Sequence, residues 1–155
     1  MNIRLTLNKI RKDENVKLFV CLDEFGGMTF NKRRQSSDRM IRSDMLKITE
    51  NSKLLVNSYT AKQFTEEENS KIQIDENCLE HAREDDFVFI ENVNVVDYVS
   101  NIEEIIVYRW QRKYPADFFF DIDLADWKLC MEEEIKGYSH ECILKEVYRK
   151  TETVS

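Results

Sequence analysis

The segments DFVFIEN (86–92) and EEIIVYRW (103–110) hold short, unbroken apolar runs, FVFI and IIVY, between acidic or polar flanks. Both are apolar enough to be central strands, and two such strands commit the chain to a sheet with a real core. VKLFVCLD (16–23) adds a third, with Val16, Leu18, Val20 and Leu22 on one face. IRLTLN (3–8) repeats that alternation through Ile3, Leu5 and Leu7, and Gly26-Gly27 in EFGGMTF supplies a turn into a short extension.

Helical spacing takes over elsewhere. From Ser36 to Glu50 the residues Met40, Ile41, Met45 and Ile48 predict a helix with Ser36 or Ser37 as N-cap. KLLVNSY (53–59) has strand character. TEEENS (65–70) reads as a polar loop or short capped turn, and Asp75 is placed to cap a short helix burying Cys78, Leu79 and Ala82. VNVVDYVSN predicts a helical turn. In FFFDIDL, Phe120, Ile122 and Leu124 share one strand face while Phe119, Asp121 and Asp123 share the other. SHECILKEVYRK predicts a final helix, started by Gly137 and Ser139. Ile143, Leu144, Val147 and Tyr148 lie on its apolar side, with Glu141–Lys145 and Glu146–Lys150 pairs at i,i+4. Strands outnumber helices and follow one another as hairpins would. The expected architecture is therefore α+β: one domain over residues 1–150, a mostly antiparallel sheet with helices packed on one side, and a frayed tail at 151–155.

The 155 residues suit a single core, and three glycines and one proline leave little room for long disorder. No stretch reaches the roughly 18 apolar residues of a spanning helix, and MNIRLTLNKIRK is charged where a signal peptide is apolar, so a cytoplasmic protein is expected. Cys21, Cys78, Cys130 and Cys142 are widely spaced, without a C-x-x-C pair, and read as reduced, mostly buried thiols. The charge is lopsided: residues 1–60 carry 12 Lys/Arg against 7 Asp/Glu, the remainder 11 against 23, which together give −7. That field disfavours nucleic acid and anionic membrane over most of the surface and favours a cationic partner.

No motif for catalysis, a cofactor or a metal stands out. Phosphate-cradling glycine loops, G-x-S-x-G and H-E-x-x-H are missing. Cys78 with His81, and His140 with Cys142, have the wrong spacing for a zinc site. Asp121 and Asp123, roughly 6.6 Å apart on an ideal strand, match the separation of an inverting glycosidase pair but lack a second strand and a sugar cleft. They fit better as an acidic ridge, continued by Asp126, Glu132, Glu133 and Glu134, with Phe119 as an aromatic anchor beside them. NKRRQSSDRMIR (31–42) is the basic counterweight. A nucleic-acid module using Arg33 and Arg34 is the alternative it suggests, weakened by the lack of interleaved aromatics and by acids available for internal pairing.

Three segments, FNKRRQSSDR (30–39), YPADFFFDIDLADWKL (114–129) and GYSHECILKEVY (137–148), resemble the small cytoplasmic immunity proteins of contact-dependent growth inhibition, above all those paired with EndoU-type ribonuclease toxins. The resemblance implies a non-enzymatic protein without cofactor that binds a cognate nuclease toxin and blocks its RNA site or a neighbouring surface. The contact surface expected on that reading is Phe119, Asp121, Asp123, Asp126, Glu132, Glu133 and Glu134.

Overall fold

A computed structural model describes residues 15–140 and 142–151. IRLTLN and all of the expected tail except Thr151 lie outside them. The central strand is β1 (Val16–Leu22), followed by β2 (Gly27–Phe30) and β3 (Arg33–Arg34). Next come the helix α1 (Arg39–Ile48), β4 (Leu54–Val56), and the single-turn helices α2 (Ser58–Ala61) and α3 (Glu66–Asn69). After them follow β5 (Gln73–Ile74), α4 (Cys78–His81), β6 (Phe87–Phe89) and a 3₁₀ turn at Val96–Asn101. The chain closes with β7 (Ile102–Arg109), β8 (Phe118–Phe119), a 3₁₀ turn at Leu124–Asp126, β9 (Trp127–Ile135) and β10 (Ile143–Lys150).

Seven strands form the main sheet in the order β5-β4-β6-β1-β7-β10-β9, and β3-β2-β8 form a small second one. The α+β class holds, but the strand directions depart from the expected antiparallel sheet. From β5 across to β7 every neighbouring pair is parallel, whereas β7–β10 and β10–β9, like both pairs of the small sheet, are antiparallel. Parallel neighbours need crossovers, and a parallel sheet is stable only with both faces covered.

Both faces are covered here, so the expectation of helices on one side is also corrected. Leu18, Val20 and Leu22 of β1 pack with Val88, Ile90, Ile105, Val107, Cys78 and Ala82, which brings α4 onto one face. Phe19 packs on the other with Phe89, Ile106, Tyr108 and the buried side of α1, Ile41, Met45 and Leu46. The face predicted for Val16, Leu18, Val20 and Leu22 is as expected. Phe19, also fully buried, marks β1 as a two-sided core strand.

The largest departure is at residues 143–150, which form a strand between β7 and β9 and not a helix. Lys145 and Glu146 obscured its alternation. Both are buried: Lys145 pairs with Asp44 of α1 at 2.8 Å and Glu146 with Arg109 of the neighbouring β7 at 2.6 Å, so neither pairs along a helix. Ile143, Val147 and Tyr148 are also residues that fit a pleated surface well. Of the four cysteines only Cys78 is buried, while Cys130 is exposed on β9.

Candidate functional site

Open sheets with parallel strands bind ligands in the crevice beyond the strands' carboxyl ends. At that edge the chain leaves β1 through Asp23, β4 through Asn57 and β6 through Glu91, all three buried. Asp23 Oδ1 accepts from the N–H groups of Phe25 and Gly27, both at 2.8 Å, and Oδ2 from Gln35 Nε2 at 2.9 Å. Gly27 is required there, since a Cβ would meet Asp23 Oδ2 and Ala116 Cβ at 2.6 Å. Asn57 caps α2 by accepting from the Thr60 N–H at 2.9 Å, and its Nδ2 donates to Asn92 Oδ1 at 3.0 Å.

Glu91 is held by a bidentate pair. Arg34 Nε donates to Oε2 at 2.9 Å and Nη2 to Oε1 at 3.0 Å, while Thr60 Oγ1 donates to Oε1 at 2.9 Å. The guanidinium also donates to the Tyr59 carbonyl at 3.0 Å and lies 4.7 Å from that ring's centroid. Burial would lower the Arg34 pKa, but the hydrogen bond and charge of Glu91 outweigh it and raise it. Arg34 therefore braces the floor of the site and does not present itself to a phosphate. Arg42 likewise turns inward, to Glu68 at 3.3 Å.

Above this floor the β2–β3 hairpin separates two clefts. One, of about 830 Å³, is lined by Thr29, Asn31, Lys32, Tyr59, Asn92, Asp117 and Phe118. The other, of about 460 Å³, is lined by Phe30, Asn31, Arg33, Arg34, Gln35, Tyr114 and Pro115. The larger cleft sits beside the carboxyl ends of β4 and β6, with Tyr59 and Phe118 among its lining residues; Phe118 also packs against the core and the Tyr59 ring also carries the Arg34 guanidinium. Lys32 supplies positive charge, Asp117 negative charge, and Asn31 and Asn92 neutral hydrogen-bonding groups. Its volume suits a drug-sized or nucleotide-sized ligand.

A second polar cluster joins α1 to the turn before β10. Asp38, and not Ser36 or Ser37, is the N-cap of α1, and its side chain accepts from the Met40 N–H. It also accepts from the N–H groups of Tyr138 and Ser139 at 2.9 and 3.0 Å and is 2.7 Å from His140 Nδ1. His140 Nε2 is 2.8 Å from Ser36 Oγ, and its ring lies 4.7 Å from Trp110, centroid to centroid. Serine, histidine and aspartate thus stand in the order of a nucleophile, base and orienting acid. Ser36 lines neither cleft, however, and Asp38 is occupied in fastening the 137–140 turn, so the cluster acts as a clasp. Burial would raise the Asp38 pKa, but the Tyr138 N–H, His140 and the Met40 and Ser139 N–H groups together hold its carboxyl well below the usual range.

The residues expected to form one acidic face are distributed over three settings. Phe119 is on β8 of the small sheet, half exposed. Asp121 and Asp123 follow β8 and do not share a strand face with it, because each caps backbone N–H groups. Asp121 accepts from Val95 at 2.9 Å and Val96 at 3.2 Å, and Asp123 from Ala125 at 2.9 Å. Asp126 ends the 3₁₀ turn, and Glu132, Glu133 and Glu134 lie exposed on β9, with register partners Glu146, Lys145 and Leu144. His81 pairs with Asp75 at 2.7 Å, and among the described residues no group of three His, Cys, Asp or Glu side chains is arranged to hold a metal. No described helix is long and apolar enough to cross a membrane.

The same layout occurs in a solved enzyme. A dihydrofolate reductase from Enterococcus faecalis, complexed with NADP(H) and RAB-propyl, superposes with a TM-score of 0.63 at 13% identity, over 90% of this chain and 98% of that one. The chain shares that protein's fold. No family model and no curated protein matches the chain. The likeness overturns the expectation of an immunity protein that inhibits a ribonuclease toxin, and with it the expectation of a non-enzyme. Of the three segments that carried that resemblance, 30–39 supplies β3 and the N-cap of α1, while 114–129 and 137–148 contribute to β8, β9, β10 and the clasp turn.

Sequence reasoning missed the site because its walls come from residues 29, 31, 32, 59, 92, 117 and 118, which only the fold unites. The basic segment at 31–34 was the one signal available. It was noticed for its charge, while the aromatic partners it lacked locally, Tyr59 and Phe118, arrive from elsewhere in the fold.

Proposed function

We propose that this chain binds a small planar ligand bearing an anionic group in the cleft of about 830 Å³ beside the carboxyl ends of β4 and β6, on a reductase-type enzyme fold. The observation carrying this reading is the combination of Tyr59, Phe118 and Lys32 around one cleft at the sheet edge where such folds take ligands. Aromatic walls suit the faces of a heterocycle, and the ammonium suits a carboxylate or phosphate.

The reductase of the comparison was captured with NADP(H). A dinucleotide at such an edge sets its pyrophosphate against a glycine-opened turn and the N–H groups that follow it. Here the turn after β6 carries Glu91, a buried carboxylate, and the N–H groups of Val95 and Val96 are taken by Asp121. The three glycines, Gly26, Gly27 and Gly137, lie elsewhere. The residues present do not fit a pyrophosphate at that turn, and no step of this proposal runs through a dinucleotide.

The test is calorimetric titration of the full chain with dihydrofolate and with guanosine 5′-monophosphate. At least one should bind saturably, and Tyr59→Ala should weaken it by about 1–3 kcal/mol, the usual contribution of an aromatic stack. Absence of saturable heat from both ligands, or binding indifferent to Tyr59→Ala and Asn92→Ala alike, would overturn the proposal.

A further inference from the structure

We infer that Lys32 is the anion anchor of this cleft, held by the hairpin in a backbone conformation that disfavours lysine. The inference rests on the ligand reading above and adds why a lysine stands at a turn position that favours glycine. Thr29 pairs with Arg34 and Phe30 with Arg33, which leaves Asn31-Lys32 as a two-residue loop. Both have positive φ, 51° and 63°, the signature of a type I′ turn. Asparagine tolerates that region. The second position strongly favours glycine, because a Cβ there crowds the neighbouring carbonyl. Lysine is therefore a locally unfavourable choice at the tip of a hairpin whose folding it does not assist.

Its charge has no internal use either. Lys32 is exposed, and among the described residues its ammonium makes no ion pair or hydrogen bond. That is notable in a chain of net charge −7 with a carboxylate in the same cleft. Asp117 instead accepts the Asn31 N–H through both oxygens, at 3.1 and 3.3 Å. The cleft is thus polarised. A ligand's carboxylate or phosphate is repelled from the Asp117 side and drawn to Lys32, while a ring amino group finds acceptor capacity on Asp117. Tyr59 and Phe118 line the same cleft and offer apolar surface to the ligand's planar body.

The experiment compares wild type, Lys32→Gly, Lys32→Gln and Tyr59→Ala by thermal unfolding and by calorimetry. The ligands form two pairs: guanosine 5′-monophosphate against guanosine, which lacks only the phosphate, and dihydrofolate against pterin, which lacks the whole aminobenzoyl-glutamate with its carboxylates. Lys32→Gly should raise the melting temperature by about 2–4 °C through relief of the turn. Both Lys32 variants should bind the anionic ligand about 10- to 100-fold more weakly, as for a lost charge-assisted hydrogen bond, with the neutral partner unaffected. Lys32→Gln should lose affinity without gaining stability. If wild type binds none of the four, the cleft reading falls and the anchor with it. If Tyr59→Ala loses the anionic ligand while the Lys32 variants keep wild-type affinity, the anchor alone is overturned. A lower melting temperature for Lys32→Gly would overturn it as well, by showing that the lysine supports the hairpin.

Discussion

Asp38 illustrates how much of this fold hangs on single buried carboxylates. Its side chain is fully buried, caps α1 and collects the N–H groups of Tyr138 and Ser139 together with His140 from about a hundred residues away. Replacing it by alanine leaves those donors unsatisfied and removes the cap, with an expected loss of about 2–5 kcal/mol in urea unfolding. Because its folded pKa is depressed, the stability it supplies is present in full above its unfolded value, near 4, and is lost as pH falls toward the folded one. Wild type should therefore weaken progressively below about pH 4, and Asp38→Asn should flatten that acid limb. An acid limb of equal slope in both proteins would show that the clasp does not set it. Sequence reading came within one position of this residue, choosing Ser36 or Ser37 as N-cap. Nothing local distinguishes the three, since what selects Asp38 is the turn at 137–140 that arrives from the far end of the chain.

Elements were readable where burial alone decides them. The central strands at 16–22, 86–92 and 103–110 announce themselves because their cores are almost wholly apolar. Thr65 likewise caps α3 through a capping box with Glu68, as TEEENS allowed. Strand direction was hidden for a different reason. α1 lies between β1 and β4, but the connections from β4 to β6 and from β6 to β7 run through single turns such as α2, α4 and the 3₁₀ segment at 96–101, too short to display a helical period, so those strands looked like hairpin partners. β10 was misread because its two buried charges imitate a helix's polar side. Val147 sits between β7 and β9, opposite Ile106 and Met131. Val147→Pro should cost about 3 kcal/mol or more by breaking the ladder, or abolish folding, measured by circular dichroism and urea unfolding. A proline tolerated there with unchanged stability would contradict the strand assignment.

For the molecule as a whole, the surplus of negative charge acts at two sheet margins. Among the described residues β9 bonds to β10 on one side only, and its exposed residues include Leu129, Cys130 and Met131 as well as Glu132, Glu133 and Glu134. An exposed edge with apolar side chains invites pairing with another chain, and a run of like charges opposes it. Replacing all three glutamates by glutamine should raise self-association, read by light scattering at increasing concentration. An unchanged mass would remove that protective role. At the carboxyl ends of β1 and β6, Asp23 and Glu91 are occupied within the protein by Arg34, Gln35, Thr60 and backbone N–H groups, while among the described residues Lys32 has no ion-pair partner.

Amide chemical-shift mapping of the isotopically labelled chain during titration with dihydrofolate and guanosine 5′-monophosphate locates the ligand directly. Shifts concentrated at Asn31, Lys32, Tyr59, Asn92 and Phe118 are the expected result. Shifts confined to the β9 edge at Glu132–Glu134, or no shifts with either ligand, would contradict a binding cleft beside β4 and β6.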